Sequence, residues 1–155
     1  MTGLQEWAAS HSKETDMDWK LEVVIAPVAD AERARAFYVD TLGFTLDSDF
    51  HPNDSFRAIQ VTPPGSACSI VFGVGLGGGV APGSLKGATL VVDDSEAAHA
   101  FLEEKGVGST GPVHFENGVQ TPGVDPDRAD YGTFIFFDDP DGNSWAIQEV
   151  KHHAR

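Results

Sequence analysis

Residues 131–150 read YGTFIFFDDPDGNSWAIQEV, two strand-type runs joined by Asp139-Pro140-Asp141-Gly142-Asn143. Pro140 presets φ at the first central position of a turn, Asp141 can hydrogen-bond its own backbone, Gly142 accepts φ > 0, and Asn143 tolerates the left-handed region. Residues 133–137 before the turn, and Trp145, Ala146 and Ile147 after it, are strand formers suited to a pleated, buried surface. The stretch predicts a tight hairpin. Whatever the protein binds is expected to lie against it.

Upstream, the chain repeats a pattern that ends in such a hairpin. Residues 19–28 (WKLEVVIAPV) predict a strand ended by Pro27, and Asp30 then caps a helix whose dipole Glu32 complements. Ala34, Phe37 and Tyr38 recur at i, i+3 and i+4 along it, and Gly43 supplies the stop. Strands are expected over 44–50, 56–62 and 68–72, separated by His51-Pro52-Asn53-Asp54 and Pro63-Pro64-Gly65-Ser66. Residues 88–92 begin again as a strand, Asp94 or Ser95 caps a second helix with Ala98, Phe101 and Leu102 on its apolar face, and Gly106 ends it.

An offset of 64 residues places Val28 on Val92, Asp30 on Asp94, Ala34 on Ala98, Phe37 on Phe101 and Tyr38 on Leu102, an internal repeat. Strands over 112–115, 133–137 and 144–150 complete a second βαβββ unit. The organisation is a flexible N-terminal arm (1–18), a first module (19–73), a Gly-rich connector (74–86), a second module (87–150) and a tail (151–155). Gly73, Gly75 and Gly78 satisfy G-x-G-x-x-G, but no helix follows to face an anion, so the stretch reads as connector. Residues 116–130, rich in Gly, Pro and Asp, read as a long loop, functional or mobile rather than incidental.

Composition narrows the partners. The chain has 155 residues, 41% of them hydrophobic, with 24 acidic against 10 basic side chains and a formal charge of −14. That charge repels phosphate and anionic lipid, which argues against nucleic-acid and membrane partners, and it would attract a cation. Cys68 is the single cysteine, so no intramolecular disulfide forms, and within Cys68-Ser69-Ile70-Val71-Phe72 it reads as a small apolar residue. With no apolar run near the roughly 18 residues of a membrane span, a cytoplasmic location is expected.

Two βαβββ modules, with PVADAERARAFYVDTLGF after the first strand and DPDGNSWAIQEV at the end, resemble the vicinal oxygen chelate superfamily over residues 19–150. That superfamily contains glyoxalase I, extradiol dioxygenases, fosfomycin-modifying enzymes and the bleomycin-resistance binding proteins. The resemblance implies an α+β fold whose modules curl into a U-shaped cleft, commonly in a homodimer. Its enzymes hold a divalent metal there through His, Glu or Gln. By the same resemblance the ligand positions fall on Val23, five residues before Val28; on Gly87 at the repeat offset; on Ala146, four residues after Gly142; and on Ile70, or Ser69 with a register slip of one. None of these side chains is a metal donor of that kind, so no metal or other cofactor is expected, and a divalent metal belongs only to the alternative reading.

Strand alternation locates the remaining candidates. With Ala146 toward the cleft, Ser144 and Gln148 face it too, while Trp145 and Ile147 face the helix layer and Glu149 points away from the cleft. Gln148 can both donate and accept, which suits orienting a polar ligand. Phe134 and Phe136 share one face and Ile135 and Phe137 the other. His51 and His114 could reach a common cleft, and Tyr131 could close it as a lid; His11, His99, His152 and His153 read as solvated. No Ser/His/Asp or Cys/His constellation offers a nucleophile. The expected function is metal-independent binding or sequestration of a small natural product, possessing cationic or aromatic character. The alternative is a glyoxalase-like lyase or isomerase, or a dioxygenase, so enzymatic activity stays open.

Overall fold

A computed structural model describes residues 16–153. Most of the expected arm, including Trp7 and His11, and the last two residues of the tail lie outside the described residues. The elements are β1 (Val23–Ile25), helix α1 (Ala31–Arg35, continuing as a π-helix over Ala36–Thr41), β2 (Thr45–Asn53), β3 (Phe56–Thr62), β4 (Ser69–Val74) and β5 (Ala88–Val92). Helix α2 (Ser95–Glu104), β6 (Ser109–Glu116), β7 (Val119–Pro122), β8 (Phe134–Asp138) and β9 (Ser144–Glu149) follow. Two sheets result, with strand orders β1-β4-β3-β2 and β5-β9-β8-β6-β7. In each, the first and last strands of the module run parallel and the other pairings are antiparallel. This is the expected α+β architecture of two βαβββ-like modules. Among the described residues, no helix is long and apolar enough to cross a membrane.

Both helices start where their capping side chains predict. The Arg33 amide donates to Asp30 Oδ1 at 3.1 Å, and the Glu96 and Ala97 amides donate to Asp94 Oδ1 at 3.0 and 3.1 Å, so Asp94 rather than Ser95 is the cap. Helix α1 differs from expectation in kind. Its second half is wound as a π-helix, with the Leu42 amide donating to the Phe37 carbonyl five residues back at 2.9 Å. This widened turn sets Phe37 and Tyr38 against Phe137 and Trp145 of the second module, at ring-centroid distances of 6.4 and 6.2 Å. One core results, spanning both modules through Ala34, Tyr38, Ile59, Phe72, Ile135, Trp145 and Ile147. Arg57, buried beneath α1, donates to both carboxylate oxygens of Asp49 at 2.9 and 2.7 Å and to Glu32 at 2.5 Å.

Several boundaries and one turn residue depart from the sequence reading. The first strand is paired only over Val23–Ile25, because β4 begins at Ser69, whose amide donates to the Glu22 carbonyl at 2.8 Å. Strand β2 runs on through His51 and Pro52 to Asn53, with a register shift between Phe50 and Asn53 accommodating the proline. The long loop over 116–130 contains β7, turned back on β6 through Asn117 (φ 51°) and Gly118 (φ 80°), an Asn-Gly turn with both central residues left-handed. Asn143 does not use the left-handed region. Instead its side-chain amide donates to the Pro27 carbonyl at 2.8 Å and to Asp139 Oδ2 at 2.7 Å, while its Oδ1 accepts from the Leu85 amide at 3.0 Å.

The hairpin turn thereby fastens one module to the other. Asp141 Oδ1 accepts from the Ala29 amide at 3.0 Å and from Arg33 at 2.8 Å. Tyr38 Oη donates to Asp139 Oδ2 at 2.7 Å and accepts from Trp145 Nε1 at 3.0 Å. Burial, followed by the neighbouring Asp139 carboxylate, pushes the Tyr38 phenol far above its ordinary range, so it stays a donor. The connector docks on this turn as well: the Gly83 amide donates to the Pro27 carbonyl at 2.9 Å, and a Cβ on Gly83 would lie 2.1 Å from the Asp141 carbonyl oxygen.

Candidate functional site on the open face of the second sheet

Each sheet turns one face to the shared core and leaves the other open. On the second sheet the register decides which residues are open. Ala146 pairs with Phe136 on one side and Thr89 on the other, and Gln148 pairs with Phe134 and Val91. These side chains share a face, while Trp145 and Ile147 lie in the core and Glu149 is buried on that inner side. Val113 and Phe115 of β6 continue the open face, since Val113 pairs with Phe134. Phe134 and Phe136 stack at 6.1 Å with an interplanar angle of 5°, and Phe115 meets Phe134 edge-on at 5.4 Å. Phe115 and Val91 remain 48% and 40% exposed, so the face is an apolar wall open to solvent.

Polar groups frame this wall at two corners. Gln148 Nε2 lies 3.4 Å from the Tyr131 carbonyl oxygen, a long contact that leaves most of the amide's hydrogen-bonding capacity free. Tyr131 is half-exposed, with φ 69°, and its amide donates to the Glu149 carbonyl at 2.9 Å. At the other corner Ser144 Oγ donates to Asp138 Oδ1 at 2.8 Å and lies 3.3 Å from Lys86 Nζ.

The two histidine candidates are not brought together here. His51 sits on β2 of the first sheet, exposed. His114 alternates with Val113 and Phe115 and so points to the opposite face of β6, where it is buried. Its Nδ1 lies 2.8 Å from the Gly123 carbonyl and its Nε2 2.9 Å from Glu116 Oε1. Both partners are acceptors, an arrangement that favours the protonated ring, which can donate from both nitrogens. The Glu116 carboxylate, then the Gly123 carbonyl, push its pKa above the ordinary histidine value. His99 is likewise engaged, with Nδ1 2.9 Å from Ser109 Oγ and Nε2 3.0 Å from Glu103.

The metal-ligand positions implied by the resemblance can be placed by register. Val23 pairs with Ser69, and Val24 with Ile70, whose side chain is in the core. Ser69 is therefore the residue on Val23's side of the sheet, and its hydroxyl lies 2.6 Å from that of Thr62. Ala146 lies among Phe136, Thr89 and Gln148, and Gly87 just precedes β5. Hydroxyls and hydrocarbon at these positions do not make a donor set for a divalent cation. Among the described residues, no three His, Cys, Asp or Glu side chains converge.

Sequence reasoning missed two features. The aliphatic and aromatic contributions of Thr89, Val91, Val113 and Phe115 needed the cross-strand register. The buried Glu149 needed tertiary structure: its Oε1 accepts from the Ser95 amide (3.0 Å), Ser95 Oγ (3.1 Å) and Arg128 (2.9 Å), closing the start of α2. A concavity of about 450 Å³ lies elsewhere, between residues 25–29 and the connector's Leu76, Gly78 and Val80, without a charged side chain in its lining.

Comparison with known proteins fits this geometry. The model of the Glyoxalase/Bleomycin resistance protein/Dioxygenase superfamily matches residues 20–147. TnmS3, an antibiotic binding protein from Streptomyces sp. CB03234, is 33% identical, with 88% of this chain and 98% of that one covered at a TM-score of 0.69. A glyoxalase/bleomycin resistance protein from the same Streptomyces strain is 35% identical, covering 84% and 100% of the two chains at a TM-score of 0.66. YetH of Bacillus subtilis (strain 168), an uncharacterized protein, is 24% identical over 130 residues, 84% of this chain and 98% of its own. A match over residues 20–147, together with paired modules of the same topology, means that the chain belongs to the Glyoxalase/Bleomycin resistance protein/Dioxygenase superfamily, the vicinal oxygen chelate group.

Proposed function

We propose that the protein binds and sequesters a small aromatic natural product, without a metal, on the open face of the second sheet. The observation that carries this reading is the wall of Phe115, Phe134 and Phe136, with Gln148 as its one uncommitted side-chain amide. Flat rings stack on such a wall, and a single amide orients one polar substituent. The likeness to an antibiotic binding protein supports the same reading. The formal charge of −14 favours a cationic ligand through long-range attraction. The protein acts as a homodimer, in which a second copy covers the open wall and keeps a bound ring from solvent.

Two measurements test the reading together. The fluorescence of 9-aminoacridine, a cationic fused-ring probe, should change saturably on titration with chelator-treated protein. Elemental analysis of protein purified without chelator, followed by melting with Ni²⁺, Zn²⁺, Fe²⁺ and Mn²⁺, should give neither stoichiometric metal nor a rise in Tm. One metal per chain would turn the assignment toward a glyoxalase-like or dioxygenase-like enzyme.

A further inference from the structure

The segment 128–131, which leads into β8, holds two left-handed residues that are not glycine, Arg128 at φ 50° and Tyr131 at φ 69°. Such backbone is costly for bulky side chains and persists only where the surroundings hold it from several directions. Here the hold comes from both faces of the second sheet. On the inner face Arg128 Nη2 donates to Glu149 Oε1 at 2.9 Å, and Nη1 donates to Glu96 Oε1 at 2.7 Å. Within the sheet the Tyr131 amide donates to the Glu149 carbonyl at 2.9 Å, and on the outer face Gln148 Nε2 meets the Tyr131 carbonyl at 3.4 Å. The segment therefore passes from the buried side of the sheet to the open one.

The inner anchor is a buried charge. Glu149 is 1% exposed, and among the described residues Arg128 is its only cationic partner, while Oε2 has no hydrogen-bond partner. Burying such a pair adds little stability over an apolar residue, so its use lies more in the geometry it fixes than in the strength it adds. Capping does not require it, because Asp94 already satisfies the Glu96 and Ala97 amides. Asp125 closes the turn locally, accepting from the Ala129 amide at 2.8 Å, whereas Arg128 joins the segment to β9 through its side chain.

At the outer end this hold decides which way Gln148 points. The Tyr131 carbonyl can only accept, so it takes Nε2 and leaves Oε1 as the free atom of the amide. We infer that Arg128, acting through Glu149, is a positioning residue that presents Gln148 Oε1 at the corner of the wall, and so selects flat ligands bearing an N–H or O–H donor over those without one. For its selectivity the inference rests on the proposed reading of the wall as a ligand site; the hold on Tyr131 does not depend on that reading.

Two cationic fused-ring probes test the selectivity in fluorescence titrations of the full chain: 9-aminoacridine, which carries an amino donor, and 10-methylacridinium, which has no N–H or O–H. The parent should prefer 9-aminoacridine a few-fold, and Gln148→Ala should erase the preference by weakening that probe alone. Arg128→Met/Glu149→Gln removes the pair without leaving a buried charge. It should erase the preference too while binding 10-methylacridinium as the parent does, and adding Gln148→Ala to it should change nothing more. Arg128→Lys, which keeps one contact to Glu149, should retain part of the preference. A merely structural role for Arg128 would weaken both probes together. That outcome, equal binding of the probes by the parent, or a preference untouched in the double variant overturns the inference. Hydrogen exchange followed by NMR decides the hold itself: in the double variant the Tyr131 amide should exchange faster by about tenfold, with the Phe136 amide unchanged. Unchanged Tyr131 exchange overturns the inference. Faster Tyr131 exchange in a protein that binds neither probe upholds the hold and removes the ligand reading of the wall. Binding of both probes with the preference kept in the double variant does the reverse.

Discussion

Successive residues of β9 belong to two different surfaces. Trp145, Ile147 and Glu149 point inward, where Trp145 Nε1 donates to Tyr38 and Glu149 holds the start of α2. Ser144, Ala146 and Gln148 point outward, onto a face with few internal partners. The inward set is buried among core residues, and its loss destabilises the fold. The outward set contributes less to the core, so its substitution is expected to disturb folding less. One strand thus carries core architecture on one side and the proposed ligand wall on the other.

Substitutions can separate the two sides. The largest loss of stability is expected from Trp145→Ala, about 3–5 kcal/mol from the cavity and the lost indole hydrogen bond to Tyr38, read by denaturant unfolding. Tyr38→Phe removes one buried hydrogen bond to Asp139 and leaves the Trp145 indole without its acceptor, for about 1–3 kcal/mol in the same assay. On the outward side, Phe136→Ala should cost only about 1 kcal/mol of stability, yet weaken 9-aminoacridine about tenfold in a fluorescence titration. Gln148→Ala should leave stability within about 0.5 kcal/mol of the parent and reduce affinity only a few-fold for ligands with a polar substituent.

The smallest effect is a pH dependence away from the wall. His114 has its folded-state pKa raised by Glu116 and the Gly123 carbonyl. Its contribution is therefore fully present below the unfolded value of about 6.5 and is lost as pH rises through the higher folded value. Melting curves of the parent should lose Tm across that window, and His114→Gln should flatten the dependence. The exposure of Glu116 keeps the change small.

Much of this division was legible in the sequence because it rests on local rules. Capping by Asp30 and Asp94, the 64-residue repeat and the parity of residues 144–149 need only dipoles, turn chemistry and the two-residue period of a strand. The hairpin of β6 and β7 was legible too, in Asn117-Gly118, but the surrounding Gly, Pro and Asp residues masked it as loop. What was not legible depended on contacts between distant segments. Nothing in the run Asp139–Asn143 announces that Asn143 would bridge Pro27 and Leu85, or that Asp141 would hold Arg33. Likewise, the inward direction of His114 follows from where β6 meets β8, which a register shift between Thr110 and Val113 sets.

The claim that the outward side of the closing hairpin binds an aromatic ligand without metal is tested most directly by calorimetric titration of 9-aminoacridine into the dialysed, chelator-treated protein. The account predicts saturable binding, unchanged by added Ni²⁺ or Zn²⁺ and weakened about tenfold by Phe136→Ala, since one stacked ring contributes about 1.4 kcal/mol. Binding that appears only after metal is restored, or that is indifferent to Phe136→Ala, would contradict it.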